Sequence, residues 1–189
     1  MNNRDLELQS FVRNCGFKGE DMISVKNDAS FRRYYRIKNK NLIIMDAPPD
    51  KGESIEQFRI VADIIHTFHL SAPQIESLDT KNGFMLLEDF GQTSFSNILN
   101  KDNESELYKK AIEVLIEINR QSKSKEKKLS RLKSYSIDLL VNESLLFIDW
   151  YLEKRNGKSV SSIQKKEFIQ ILNDFYNNIK PQLSTLVLR

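Results

Sequence analysis

Leu8, Phe11, Val12 and Cys15 are spaced i, i+3, i+4 and i+7, the stripe of an amphipathic helix, and Gly16 follows where a left-handed cap is usual. That spacing predicts a helix with Cys15 on its buried side. Three short segments rich in β-formers come next, at 22–26, 33–38 and 42–47, separated by polar turns holding Asn27-Asp28 and Asn39-Lys40-Asn41. They predict an antiparallel meander. Pro48-Pro49 ends its third strand, because proline has no N–H for a sheet ladder and disfavours helix in the residue before it. From Glu53 the period becomes helical, with Ile55, Phe58, Ala62 and Ile65 on one face as far as about His69. Segments 74–78 and 84–87, joined by a turn ending at Gly83, predict two more strands.

Beyond Gly91 the strand signal nearly vanishes. Leu107, Ala111, Val114, Leu115 and Ile118 predict one helix. Leu139, Leu140, Leu146, Phe147, Trp150 and Tyr151 predict a second, and Ile163, Phe168, Ile171, Leu172, Phe175 and Ile179 a third. Only 183–188 turns strand-like again. The expected fold class is α+β, with a mixed lobe at 1–90 and a helical lobe at 91–189.

Composition narrows the function classes rather than the fold. With 40% apolar and 10% aromatic residues among 189, the chain can build a proper core and is not a disordered segment. The 29 basic and 26 acidic residues leave a net charge of +3, too balanced to argue for nucleic acid. The basic run at 123–133 has no interleaved aromatics for base stacking, so a solvated linker is the simpler reading. A basic, RNA-associated helical protein is therefore a distant alternative. Cys15 is the only cysteine, which excludes an intrachain disulfide or a CxxC pair and suits a reducing compartment. No apolar run approaches the roughly 18 residues of a membrane span, and residues 1–5 lack the apolar stretch of a signal peptide. A cytoplasmic protein without a membrane or nucleic-acid partner is expected. His66 and His69 have no cysteine or carboxylate to complete a metal site.

Two stretches carry a family resemblance. The run Asn27-Asp28-Ala29-Ser30-Phe31-Arg32-Arg33-Tyr34-Tyr35-Arg36 and the run Met45-Asp46-Ala47-Pro48-Pro49 resemble paired signatures of the bacterial phosphotransferases grouped with aminoglycoside and choline kinases. Within that group they are most similar to the amino-sugar kinases that act on the anomeric carbon of N-acetylmuramate and N-acetylglucosamine. Residues 83–91, GFMLLEDFG, resemble the family's hinge, and 143–151, ESLLFIDWY, its first large-lobe helices. The resemblance implies a protein-kinase-like small lobe of about five antiparallel strands and one main helix, followed by an incomplete helical large lobe. ATP, magnesium and an amino-sugar or other small hydroxyl substrate are the implied ligands.

Phosphoryl transfer needs a tight turn whose backbone N–H groups approach the phosphates, together with cations that neutralise them. The resemblance puts that turn at Asp28-Ala29-Ser30, where Ala29 and Ser30 are small and Phe31 could cap the loop; an ordinary polar hairpin is the alternative. In protein kinases a lysine on the third strand pairs with a glutamate on the next helix. Here that slot falls at Met45 or Asp46, and neither is a cation. An arginine from the preceding hairpin, Arg32 or Arg33, is expected to supply the charge, with Asp46 or Glu56 positioning it. If side chains alternate along the strand, Arg32 and Tyr34 face one way and Arg33 and Tyr35 the other. An edge strand at 84–88 is expected to offer its backbone to the adenine near Leu87 and Asp89. Glu88 and Asp89 could equally be solvated turn carboxylates.

At the other end, Leu186-Val187-Leu188-Arg189 resembles the strand that leads into the family's catalytic loop. The aspartate and metal ligands of that loop are expected after it, so no catalytic or metal-binding residue is assigned within the 189. The resemblance thus implies an ATP-binding part with little activity by itself, a second chain being one way to complete it, with apolar surface exposed where more of a large lobe would pack. A non-catalytic nucleotide-binding or interaction module is the competing reading.

Overall fold

A computed structural model describes residues 3–25, 30–124, 129–132, 134–179 and 186. The chain divides into two compact units, residues 1–132 and 133–189.

The first unit is built on a five-stranded antiparallel sheet. Its strands are β1 (Met22–Ser24), β2 (Arg33–Ile37), β3 (Leu42–Asp46), β4 (Ile75–Asp79) and β5 (Phe84–Glu88), in the order β1-β2-β3-β5-β4. Helix α1 (Asn3–Asn14) precedes the sheet and α2 (Ile55–Thr67) connects β3 to β4. The expected meander, helix and strand pair are all present. The expected edge strand is not, because β5 lies between β3 and β4 and spends its backbone on both neighbours. The chain closes the sheet this way since α2 carries it across β3 to the far side, and β5 then returns into the gap.

Each face of the sheet is covered by one helix. Leu8, Phe11 and Val12 of α1 pack on Ile37, Ile44, Phe84 and Leu86. Ile55 and Phe58 of α2 pack on Met45, Met85 and Leu87. Alternation along the strands sorts the side chains: 33, 35, 37, 42, 44 and 46 belong to the α1 face, and 34, 36, 43 and 45 to the α2 face. Burying each large apolar side chain contributes about 1.5–3 kcal/mol.

Local chemistry fixes the ends of α2 and the β4–β5 turn. Ser54 caps α2 by accepting the Gln57 N–H at 3.2 Å, which satisfies one of the helix's unpaired donors. Gly83 closes the turn with φ +74°, and a Cβ there would lie 2.1 Å from the Ala47 carbonyl oxygen. Only glycine lets the turn approach the end of β3, where the Ala47 N–H donates to the Gly83 carbonyl at 2.9 Å.

After β5 every described element is helical. The first unit adds the short α3 (Phe95–Ile98) and the long α4 (Glu104–Ser124). Along α4, Tyr108, Ile112, Leu115 and Ile116 form an exposed apolar stripe. The second unit holds α5 (Ile137–Leu146), its π-helical continuation Phe147–Arg155, and α6 (Ser162–Ile179). Ser144 and Tyr176 bond α5 to α6 through their hydroxyls at 2.6 Å. Of the strand expected at 183–188, all but Leu186 lies outside the described residues. No helix among the described residues is long and apolar enough to cross a membrane.

Candidate functional site

Alternation of side chains splits the arginine-rich hairpin between the two faces, and this decides what each arginine can do. Arg33 faces α1. Its Nε and Nη2 donate to Asp46 Oδ2 at 2.8 and 2.5 Å, and its Nη1 donates to Asp5 Oδ1 at 3.3 Å. From α1, Arg4 donates to the other oxygen of Asp46 at 3.0 and 2.6 Å and stacks 4.1 Å from the centre of the Phe84 ring. Asp46 is fully buried, so its charge is stable there only because two guanidiniums satisfy it.

Arg32 faces the other way. Its Nε donates to Glu53 Oε2 at 2.7 Å, just ahead of the Ser54 cap of α2. Burial alone would lower the arginine's pKa, but the Glu53 carboxylate more than offsets this and holds it above its ordinary value. The Arg32 side chain keeps 31% exposure, and a guanidinium has five N–H donors, so an anion can still reach it. Ser30 Oγ accepts the Arg32 N–H at 2.9 Å and tightens the turn before it, while Phe31 is 64% exposed. Ala29 lies outside the described residues.

The same face continues through half-buried Tyr34 and Ile43 to Arg36. Arg36 donates to both oxygens of Asp89, at 2.5 and 3.2 Å, and to the Gly91 carbonyl at 2.6 Å. The Gly91 N–H returns to Asp89 Oδ1 at 2.8 Å. Burial would raise the Asp89 carboxyl, but Arg36 and the Gly91 N–H outweigh it and hold it below the usual range. Glu88 accepts the Gln74 N–H through its side chain at 3.2 Å.

The α2 face therefore gathers Arg32, Met45, Leu87 and Asp89 from the expected site and leaves Arg33 and Asp46 behind the sheet. Met45, one of the two positions expected to match a kinase's lysine, is fully buried, accepts the Tyr34 hydroxyl at 3.4 Å and offers no charge. Asp46 holds Arg33, but on the α1 face, away from Arg32. Glu56 holds neither. It is bound to Arg59 at 2.5 and 3.0 Å, because a partner one helical turn away is nearer than the hairpin. Glu53 holds Arg32 in its place.

The backbone of residues 87–91 also differs from expectation. Leu87 sits in the ladder between Ile43 and Ile75, and the Asp89 N–H donates to the Asn41 carbonyl at 2.9 Å. Phe90, 58% exposed, follows the ladder, and its N–H has no acceptor among the described residues.

Arg36 and Tyr34 were legible as face partners of Arg32 from their i, i+2, i+4 spacing. Arg4 was legible too, four residues before Leu8 on the α1 stripe. Glu53 carried no such signal, since it meets Arg32 only where the connection between β3 and α2 returns to the hairpin. A cavity of about 160 Å³ beside Glu53, Ser54 and Glu56 is too small for a nucleotide. Among the described residues no cluster of three or more His, Cys, Asp or Glu side chains could hold a metal ion.

The chain is similar over most of its length to three bacterial sugar kinases. An N-acetylmuramate/N-acetylglucosamine kinase of Pseudomonas aeruginosa is 34% identical over 139 residues, covering 72% of this chain and 39% of the relative. The kinase of the same name from Pseudomonas putida is 30% identical over 170 residues, covering 89% and 48%. That of Neisseria meningitidis serogroup B is 28% identical over 160 residues, covering 81% and 46%. The chain thus spans about half the length of the curated relatives it matches. No family model matches it.

Proposed function

We propose that this chain forms the ATP-binding part of an amino-sugar phosphotransferase, with a protein-kinase-like small lobe in its first unit and N-acetylmuramate or N-acetylglucosamine as the class of acceptor. The observation that carries the reading is the similarity to three kinases of that name across 72–89% of the chain. The ion pair on the α2 face supports it. A kinase holds its phosphate-binding cation by a carboxylate at the helix after β3, and Arg32 with Glu53 reproduces that charge arrangement from a different residue.

In this reading Arg32 binds the phosphates, beside Ser30 and Phe31. Half-buried Ile43, backed by buried Leu87, forms the apolar floor beneath the base, and the Phe90 N–H lies at its polar edge. Magnesium would supply charge neutralisation at the phosphates; no metal ligand is assigned to the described residues, and neither is a group that activates the acceptor hydroxyl. Arg33 and Asp46 hold the hairpin from behind.

Calorimetric titration of the chain with ATP and magnesium tests the proposal. Binding is expected, weakened about tenfold or more in Arg32→Ala through loss of a charge-assisted contact, and within about twofold of wild type in a folded Arg33→Lys, because Arg33 lies on the α1 face, away from the ligand. No ATP binding at millimolar concentration refutes the reading. A second reading, a nucleotide-binding interaction module without transfer, draws support from the exposed stripe of Tyr108, Ile112, Leu115 and Ile116 on α4. Labelled phosphate appearing on N-acetylmuramate or N-acetylglucosamine would exclude it.

A further inference from the structure

The segment that leaves β5 is held in a closed ring of hydrogen bonds, and its anchor is on a different strand. Arg36 reaches across from β2, bridging the Asp89 carboxylate and the Gly91 carbonyl, while Asp89 in turn accepts the Gly91 N–H. The Asp89 N–H is tied to Asn41. Three of the backbone groups flanking Phe90 are thereby committed, and Phe90 is left as the residue between two fixed points. The pair is well shielded, with the Arg36 side chain 22% exposed and that of Asp89 9% exposed. Gly91 adopts φ +84°, a conformation in which a side chain would be strained, so the turn is specified by its own residue as well as by the clamp.

The clamp also borders the apolar floor. Arg36 is the register partner of Ile43, and Ile43 is that of Leu87. A guanidinium bridging a carboxylate and a carbonyl at this rim holds the rim at a set distance from the floor. A lysine could not do the same, because one ammonium cannot reproduce a planar fork on two acceptors.

We infer that Arg36 is a positioning residue for base recognition: through Asp89 and Gly91 it fixes the Phe90 backbone beside half-buried Ile43, without touching the phosphates. This rests on the nucleotide-binding reading above. It separates the two halves of the ligand, since Arg32 acts on the phosphate end and Arg36 on the base end.

The test measures two ligands that share no atoms, adenosine and inorganic tripolyphosphate, on the 189-residue chain and its variants. In Arg36→Ala, adenosine affinity is expected to fall about tenfold and tripolyphosphate affinity to stay within about twofold. Arg36→Lys is expected to recover little of the loss. Asp89→Asn, which keeps an acceptor for the Gly91 N–H but loses the charge, is expected to give a smaller loss in the same direction; it is the variant to rely on if Arg36→Ala fails to fold. Arg32→Ala should show the reverse pattern. A merely structural Arg36 would weaken both ligands together. Equal loss for both ligands, full recovery in Arg36→Lys, or unchanged adenosine affinity in a folded Arg36→Ala or Asp89→Asn overturns the positioning role. Wild-type chain that binds neither ATP nor adenosine overturns the nucleotide reading itself, a distinguishable failure.

Discussion

Replacing Asp46 by alanine removes the anion at the centre of the α1 face. Four N–H donors lose their acceptor, two from Arg4 and two from Arg33, at present distances of 2.5 to 3.0 Å. Two guanidiniums are left facing each other across the space of one carboxylate. Breaking a fully buried ion pair by removing one partner costs about 3–5 kcal/mol. Here Arg4 and Arg33 keep 21% and 32% exposure and can turn partly to water, which brings the expected loss to about 2–4 kcal/mol. Against a total stability of about 5–15 kcal/mol that is a large fraction. Equilibrium unfolding in urea, followed by circular dichroism, measures it for Asp46→Ala, Arg4→Ala and the double variant. With Asp46 present, Arg4→Ala should destabilise. Without it, the same change should cost little or even stabilise, because it relieves the repulsion with Arg33. The coupling is expected to be about 1–2 kcal/mol. A loss below about 1 kcal/mol for Asp46→Ala, or an Arg4→Ala cost that is independent of Asp46, would refute the view that this carboxylate fastens α1 to the sheet.

Two further outcomes follow from the fold. Gly83→Ala should cost at least about 2 kcal/mol, combining the left-handed φ with a Cβ forced onto the Ala47 carbonyl; a thermal melt within a degree or two of wild type would contradict the close approach. The Asp89 clamp should give stability a particular pH dependence. Its folded carboxyl titrates below the unfolded value of about 3.9, so its contribution is full above that value and is lost as pH falls through the lower folded one. The stability difference between wild type and Asp89→Asn should therefore shrink on acidification from about pH 5 to about pH 2. A difference that is constant with pH would mean that Arg36 does not hold the charged form.

Much of the first unit could be read from spacing alone. The stripe of Leu8, Phe11 and Val12 gave α1, the β-rich runs gave four of the five strands nearly to the residue, and the prolines at 48 and 49 marked the end of β3. What spacing could not supply was order in space. Nothing local says that β5 enters between β3 and β4, and so spacing alone leaves residues 84–88 on an edge, whereas the fold pairs them on both sides. The site divides the same way. That Arg32 and Arg33 point apart follows from the period of a strand, but Arg32's partner depends on where the chain 21 residues later returns to the hairpin. Between Glu53 and Glu56 the choice turned on Arg59, which captures Glu56 from within its own helix.

Under the proposed kinase reading, the exchange at the lysine slot has a physical logic. On the α2 face the position belongs to Met45, since Asp46 points to α1. A lysine at 45 would have to leave a fully buried environment packed by Met85, Ile55 and Tyr34 to reach a ligand, and an uncompensated charge there is costly. Moving the cation to Arg32, at the mouth of the hairpin, keeps the core apolar and leaves the charge where water and phosphate can reach it. The carboxylate must then move as well, from the body of the helix to the residue before its cap, and Glu53 occupies that place. If this is right, Met45→Lys should not rescue ATP binding in Arg32→Ala, because the new ammonium would be buried rather than presented. Restored affinity in that double variant would show that the slot, and not the hairpin mouth, is where the phosphates lie.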